Sequence, residues 1–328
     1  MQYLFRFGLP ILAAALFVNL LGCVHHCFEA REPFQISKEE ISSFAYSAKP
    51  EPPRFVFDEE CANYVVYKVQ IKVKDFEDLK NPYIQFWYFL PKSRGKKLPV
   101  AMVLPPTGGD YEAMKGFGRY FADRGFVSLV FERREPYFDP RRHLQYNKYL
   151  IRQSAIDVRR TIDFLCTQPD IDTEKIGLAG VSLGAVICVL ATASDDRIKS
   201  LCLIIGSGDL PQIMSTTGYS RVKKFRDVML QNKGLTLKEL PTKGADLLAE
   251  IDPLTYSSHL DPEKILMING RFDNIVKYRV AKKTWESLRK PEWYVIPTTH
   301  YGTIAFQGFV KEKIYSRFLK DFGLEPSS

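Results

Sequence analysis

The spacing of apolar residues changes period along the chain, and each change marks an element. Over 64–73 apolar and polar residues alternate (Val66, Lys68, Val69, Gln70, Ile71, Lys72), the period of a half-exposed strand. The aromatic run over 83–90 reads as its antiparallel partner. Beyond it, short apolar runs alternate with stretches of helical period. Strands are expected over 98–104, 126–131, 176–181, 200–206, 264–270 and 292–297. Helices are expected over 111–124, 147–167, 183–193, from about Lys277, and over 303–322. This alternation predicts an α/β fold: a mostly parallel sheet with helices on both faces. The stretch over 206–264 is polar and helix-prone, with helices expected over 220–230 and 237–251. A connection that long is usually functional, and it reads as a helical cap over 207–262, with surface decoration as the competing reading.

The first residues carry a different pattern. An apolar run over 9–24 follows Arg6 and is too short and too polar-flanked to span a bilayer. It reads as a signal peptide over 1–22. Leu20-Leu21-Gly22-Cys23 resembles a bacterial lipobox, which implies a membrane anchor through acylated Cys23; plain secretion or an uncleaved anchor are the alternatives. The expected location is the cell envelope. Residues 23–60 show little periodicity and read as a polar tether, leaving 61–328 as one domain.

Composition adds little to this outline, but it excludes some functions. The net charge of +8 fits an anionic membrane surface or an acidic substrate. Basic residues cluster at 92–97, at Arg133, Arg134, Arg141 and Arg142, and at Arg221, Lys223, Lys224 and Arg226. They lack the aromatic interleaving or reading motif of a nucleic-acid binder, so no nucleic-acid partner is expected. Cys166, Cys188 and Cys202 sit in apolar runs and read as core residues, whereas Cys27 and Cys61 flank the polar lead and could pair in an oxidising compartment. No Cys or His spacing suggests a metal site, and no cofactor is expected.

Candidate chemistry begins at Gly180-Val181-Ser182-Leu183-Gly184, a G-x-S-x-G pattern between the strand over 176–181 and the helix over 183–193. A serine on a sharp strand-to-helix turn is a nucleophile elbow; without that setting the pattern is only a glycine-rich turn. A serine hydroxyl needs a base, and the base needs an orienting group. On such elbows the partners follow in the order serine, acid, histidine. His25, His26 and His143 precede Ser182, and His259 lies before the next strand. His300 lies in the loop after the last strand and is the expected base. Asp273 follows the carboxyl end of the strand over 264–270, where catalytic loops collect in open parallel sheets, and is the expected orienter. Asn274 is expected to cap the next helix and leave Asp273 free, and Asp252 and Asp261 are the fallback acids. An oxyanion needs two backbone N–H donors. One is expected from Leu183 and the other from Thr107, or from Gly108, in the turn Pro105-Pro106-Thr107-Gly108-Gly109. The arginines and aromatics over 132–139 read either as pocket lining or as salt-bridged surface.

Leu104-Pro105-Pro106-Thr107-Gly108-Gly109, Gly180-Val181-Ser182-Leu183-Gly184, Gly270-Arg271-Phe272-Asp273 and Thr299-His300-Tyr301-Gly302 together resemble the alpha/beta-hydrolase superfamily, and most closely its dienelactone-hydrolase and acetyl-esterase branch. The resemblance runs from about Tyr64 to Phe322. It departs at Pro105-Pro106, where many relatives carry His-Gly, and it has Ser182 where dienelactone hydrolase itself has cysteine. It implies a serine hydrolase acting on a small-molecule ester, with a peptidase or thioesterase of the same fold, or a non-catalytic envelope scaffold, as alternatives.

Overall fold

The computed structural model describes residues 22–29, 35–37, 41–46, 51–73, 81–92 and 97–325. The leader expected over 1–22 lies almost wholly outside them. Ten strands form one sheet in the order β1-β10-β9-β8-β7-β5-β6-β4-β3-β2. They are β1 (Val24–His26), β2 (Arg54–Glu60), β3 (Tyr64–Lys72), β4 (Tyr83–Pro91), β5 (Leu98–Leu104), β6 (Val127–Glu132), β7 (Ile171–Val181), β8 (Ile198–Ile204), β9 (Ile265–Gly270) and β10 (Glu292–Ile296). Strands β5 to β10 pair in parallel. Strands β2, β3 and β4 join antiparallel on one side, and β1 joins antiparallel on the other.

The helices used below are α1 (Tyr111–Ala122), α2 (Leu144–Leu165), α3 (Leu183–Ala193), α4 (Leu210–Thr216), α5 (Ser220–Lys233), α6 (Leu240–Lys243), α7 (Ala245–Leu248), α8 (Tyr278–Ser287) and α9 (Gln307–Phe322). The strand period of two divides the core. Val100, Met102 and Leu104 of β5 join one apolar cluster, with α2, α3, α8 and the cap. Ala101 and Val103 join the other, with α1 and α9. Both faces of the central strands are therefore covered, which is why they read as near-continuous apolar runs.

Three local expectations are corrected. The tether over 23–60 contributes two edge strands, β1 and β2. Their pairing comes from backbone hydrogen bonds to β10 and β3 rather than from any periodicity of their own. The helix expected over 237–251 is broken into α6, α7 and a 3-10 turn at Ala249–Ile251. Pro241 and Gly244 interrupt it, and the close approach to Leu240 at Gly244 leaves no room for a Cβ. None of the six cysteines, all described, is disulfide-bonded. Cys27 follows β1 and Cys61 follows β2, so the two sit at opposite edges of the ten-stranded sheet and cannot reach one another. Among the described residues no helix is long and apolar enough to cross a membrane.

Candidate active site

Ser182 occupies the turn between β7 and α3 with φ 54° and ψ −113°, a strained backbone for any residue but glycine. Packing enforces the turn. A Cβ on Gly180 would lie 2.4 Å from the backbone of Gly184, and a Cβ on Gly184 would lie 2.4 Å from the Leu104 carbonyl. The Ser182 N–H donates to the Ile204 carbonyl at 2.8 Å. Strain gathers around this point. Of the seven described non-glycine residues with positive φ, Asp110, Phe138, Ser182 and Ile205 all line one cavity.

The loops after β9 and β10 run side by side above the elbow. The Arg271 N–H donates to the Ile296 carbonyl at 2.8 Å, and the Phe272 N–H donates to the Thr298 carbonyl at 3.0 Å. Gly270 allows that approach, because a Cβ there would meet Thr298 O at 2.5 Å. Beneath them Asn269 accepts from the Trp293 indole at 3.0 Å and donates to the Gly206 carbonyl at 3.1 Å, tying three strand ends together.

This zipper brings three distant side chains into a row. His300 Nδ1 lies 2.7 Å from Asp273 Oδ2, and His300 Nε2 lies 3.1 Å from Ser182 Oγ. The Asp273 side chain is fully buried and that of His300 is 7% exposed. With the Nδ1 proton given to the carboxylate, Nε2 is left as an acceptor for the serine hydroxyl. Such a row can withdraw a proton from serine and hold the resulting imidazolium.

No side chain caps α8, so Asn274 does not take the role expected of it, and Asp273 holds the turn that precedes the helix. Its Oδ1 accepts the Ile275 and Val276 N–H groups at 2.8 and 2.9 Å, and the cap position of α8, Lys277, has no side-chain bond. One carboxylate thus fixes the turn and meets the imidazole. The fallback acids are elsewhere: Asp252 accepts the amides of Asp209, Leu210 and Leu254, and Asp261 caps the turn at Pro262–Lys264. The other histidines are also engaged away from Ser182. His143 caps α2, His259 packs by Tyr256, and His25 and His26 lie on β1 against Tyr294 and Trp293.

Leu183 is the first residue of α3, so its N–H has no acceptor within the helix. Thr107 is buried and lines the cavity with Gly108, Ser182 and Leu183. Sequence reasoning missed what holds that turn: the Arg133 guanidinium donates to the Thr107 carbonyl, and the Arg133 N–H donates to the Tyr111 hydroxyl at 3.2 Å. Arg134 is not surface, and it does not line the cavity that holds Ser182. It is 3% exposed and donates two bonds of 2.7 Å to buried Asp157. Only the aromatic residues that follow in that loop hint at such burial. Among the described residues, no three His, Cys, Asp or Glu side chains gather where they could hold a metal.

The cavity above Ser182 has a volume of about 420 Å³. Its roof is the excursion between β8 and β9, through Leu210, Met214, Val222, Leu248 and Ile251.

The architecture has known counterparts. An acetyl xylan esterase from a Thermoanaerobacterium species is similar, with TM-score 0.64, 15% identity, and 82% of this chain and 89% of that chain covered. The chain has the alpha/beta-hydrolase fold. An acetyl xylan esterase from a Paenibacillus species shares this fold at TM-score 0.61 and 16% identity, over 81% of this chain and 89% of its own. In sequence, residues 159–285 match the family described as BAAT / Acyl-CoA thioester hydrolase C terminal. That alpha/beta-hydrolase segment includes Ser182 and Asp273 and stops short of His300. Two curated relatives bear names that assign no activity. PA2218 of Pseudomonas aeruginosa is 28% identical over 155 residues, 46% of this chain and 39% of its own length. YcjY of Escherichia coli is 31% identical over 134 residues, 38% of this chain and 42% of its own. The matched part of the chain thus spans about two fifths of the length of each of these relatives.

Proposed function

We propose that this chain is a serine hydrolase of carboxylic esters. The reading is carried by the Ser182–His300–Asp273 row, with contacts of 3.1 and 2.7 Å, on a strained elbow at the floor of an apolar cavity. Ser182 attacks the carbonyl while His300 takes its proton. Asp273 holds the imidazole tautomer and stabilises the imidazolium. The N–H groups of Leu183 and Thr107 receive the oxyanion. His300 then protonates the departing alcohol, and water releases the acyl group by the same steps in reverse order. No cofactor enters this sequence of steps.

A fluorophosphonate probe tests the reading. The protein is expected to be labelled and Ser182→Ala is not; a wild-type protein that stays unlabelled would speak for a scaffold built on this fold. Thioester cleavage is the second reading, favoured by the match of residues 159–285 to an acyl-CoA thioester hydrolase family. Oxygen and sulfur esters of one acyl group, compared by kcat/KM, separate the two.

Export to the cell envelope with an acyl anchor on Cys23 belongs to the same proposal and rests on the leader sequence. Incorporation of labelled palmitate that disappears in Cys23→Ser supports it. A wild-type protein found unlabelled in the cytoplasm ends it.

A further inference from the structure

The cavity over Ser182 straddles the sheet. On one side Ile213, Met214, Leu248 and Ile251 close it from the cap; on the other, Met114 and Phe117 of α1 face Ile304 and Val310. These sets belong to the two different layers of the core, so the space extends away from the serine in two directions. Both are apolar. Among the described residues no lysine or arginine lines the cavity, and Asp110 is its one carboxylate. An anionic group drawn beneath the cap would be desolvated with no cation among the lining residues to meet it, which is costly.

The two directions are not equivalent. His300 must hand its proton to the leaving oxygen, so the leaving group lies on the histidine's side, along Tyr301 and Ile304 towards α9. That side is open: Tyr301 is 66% exposed and Ile304 53%. The acyl group points the other way, under the cap, where Met214 is 3% exposed and Leu248 1%. A closed apolar chamber gains with every methylene it takes from water.

Resting on the serine-ester reading, we propose that the substrate is a neutral ester of a medium-length aliphatic acid. Its acyl chain lies beneath α4 and α7, and an apolar leaving group lies against Ile304 and Phe117. Ser182 Oγ bonds the acyl carbon as the carbon–oxygen bond to the alcohol breaks. The alcohol leaves with the proton from His300, and water takes the acyl group off as the carboxylic acid.

The test uses the full-length protein, first labelled with a fluorophosphonate to establish the serine chemistry independently of acyl length. On nitrophenyl esters, kcat/KM is expected to climb from acetate to hexanoate by up to about fourfold per methylene. Met214→Trp, checked by the same label, should cut the octanoate-to-acetate ratio by about tenfold. The octanoyl thioester of a neutral aliphatic thiol should exceed octanoyl-CoA by about tenfold. A labelled protein whose rates stay flat or fall beyond acetate overturns the acyl chamber. A labelled protein that prefers the CoA ester overturns the neutral leaving group. An unlabelled protein overturns the serine reading itself, and this inference with it.

Discussion

Asp252 accepts the Leu210 N–H at 2.6 Å and so joins the two ends of the cap. Its other oxygen takes the N–H groups of Asp209 and Leu254, each at 2.9 Å. The carboxylate is buried, and burial raises its pKa against the pull of these three amides. Asp252→Ala leaves three buried donors without an acceptor and should cost about 2–3 kcal/mol. Asp252→Asn keeps two of the bonds but turns an NH2 towards Leu210, and should cost less. Urea unfolding of the two variants measures the difference, and equal midpoints would refute the clamp.

Substitutions of Asp273 separate its proposed catalytic role from its part in stability. In Asp273→Asn the amide oxygen can still hold the Ile275 and Val276 turn, while the NH2 faces His300 and favours the wrong tautomer. A loss of about 10³–10⁴ in kcat with a near-native melting temperature is expected. Asp273→Ala should lose both activity and about 1–3 kcal/mol of stability. Turnover of Asp273→Asn within tenfold of wild type would remove Asp273 from the proposed mechanism.

Arg133 touches the carbonyl of Thr107 rather than the cavity's reacting centre. It holds in place the turn proposed to supply an oxyanion donor, and so would act as a positioning residue in that mechanism. Arg133→Ala should lower kcat by about tenfold with KM little changed, and Arg133→Lys should recover part of it. A change confined to KM would mean that Arg133 serves ground-state binding instead.

Glu292 opens β10 and links β1 and α9 through His25 and Arg317, each at 3.1 Å. Burial raises its pKa, but the His25 hydrogen bond and the Arg317 charge outweigh this and leave it below the usual 4.5. The folded state therefore binds the Glu292 proton less readily than the unfolded chain does. Its stabilisation is complete above pH 4.5 and is lost as pH falls through the lower folded value. Thermal unfolding of Glu292→Gln should show a shallower acid limb than wild type between pH 5 and pH 3, roughly the interval in which a carboxylate titrates. Identical acid limbs would count against this link.

The alternating run of β3, the short apolar runs of β4 to β10 and the helical runs between them made most of the architecture legible, because burial on one face or on two leaves a direct mark in hydropathy. The elbow was legible for the same reason: Gly180 and Gly184 mark a turn whose tightness admits no side chain. Edge strands β1 and β2 were not. They are held by backbone groups, and Phe55, Val56 and Phe57 of β2 remain exposed, so no burial pattern distinguishes them. The dual role of Asp273 was hidden because a turn-holding aspartate and an imidazole-orienting one have the same local sequence. Arg133 and Arg134 looked alike in the chain. Their separate partners, the Thr107 carbonyl and buried Asp157, lie 26 and 23 positions away and meet them only after β5, β6 and α2 have packed.

The excursion between β8 and β9 leaves and re-enters the sheet at two neighbouring parallel strands. The connection must cross back from the carboxyl end of β8 to the amino end of β9, but its part from Asp209 to Asp252 is closed on itself by the Asp252 carboxylate, and none of Ser182, His300 and Asp273 belongs to it. A segment so connected is interchangeable: exchanging it for one of another shape would retune which molecules fit while leaving the proposed reaction machinery where it stands.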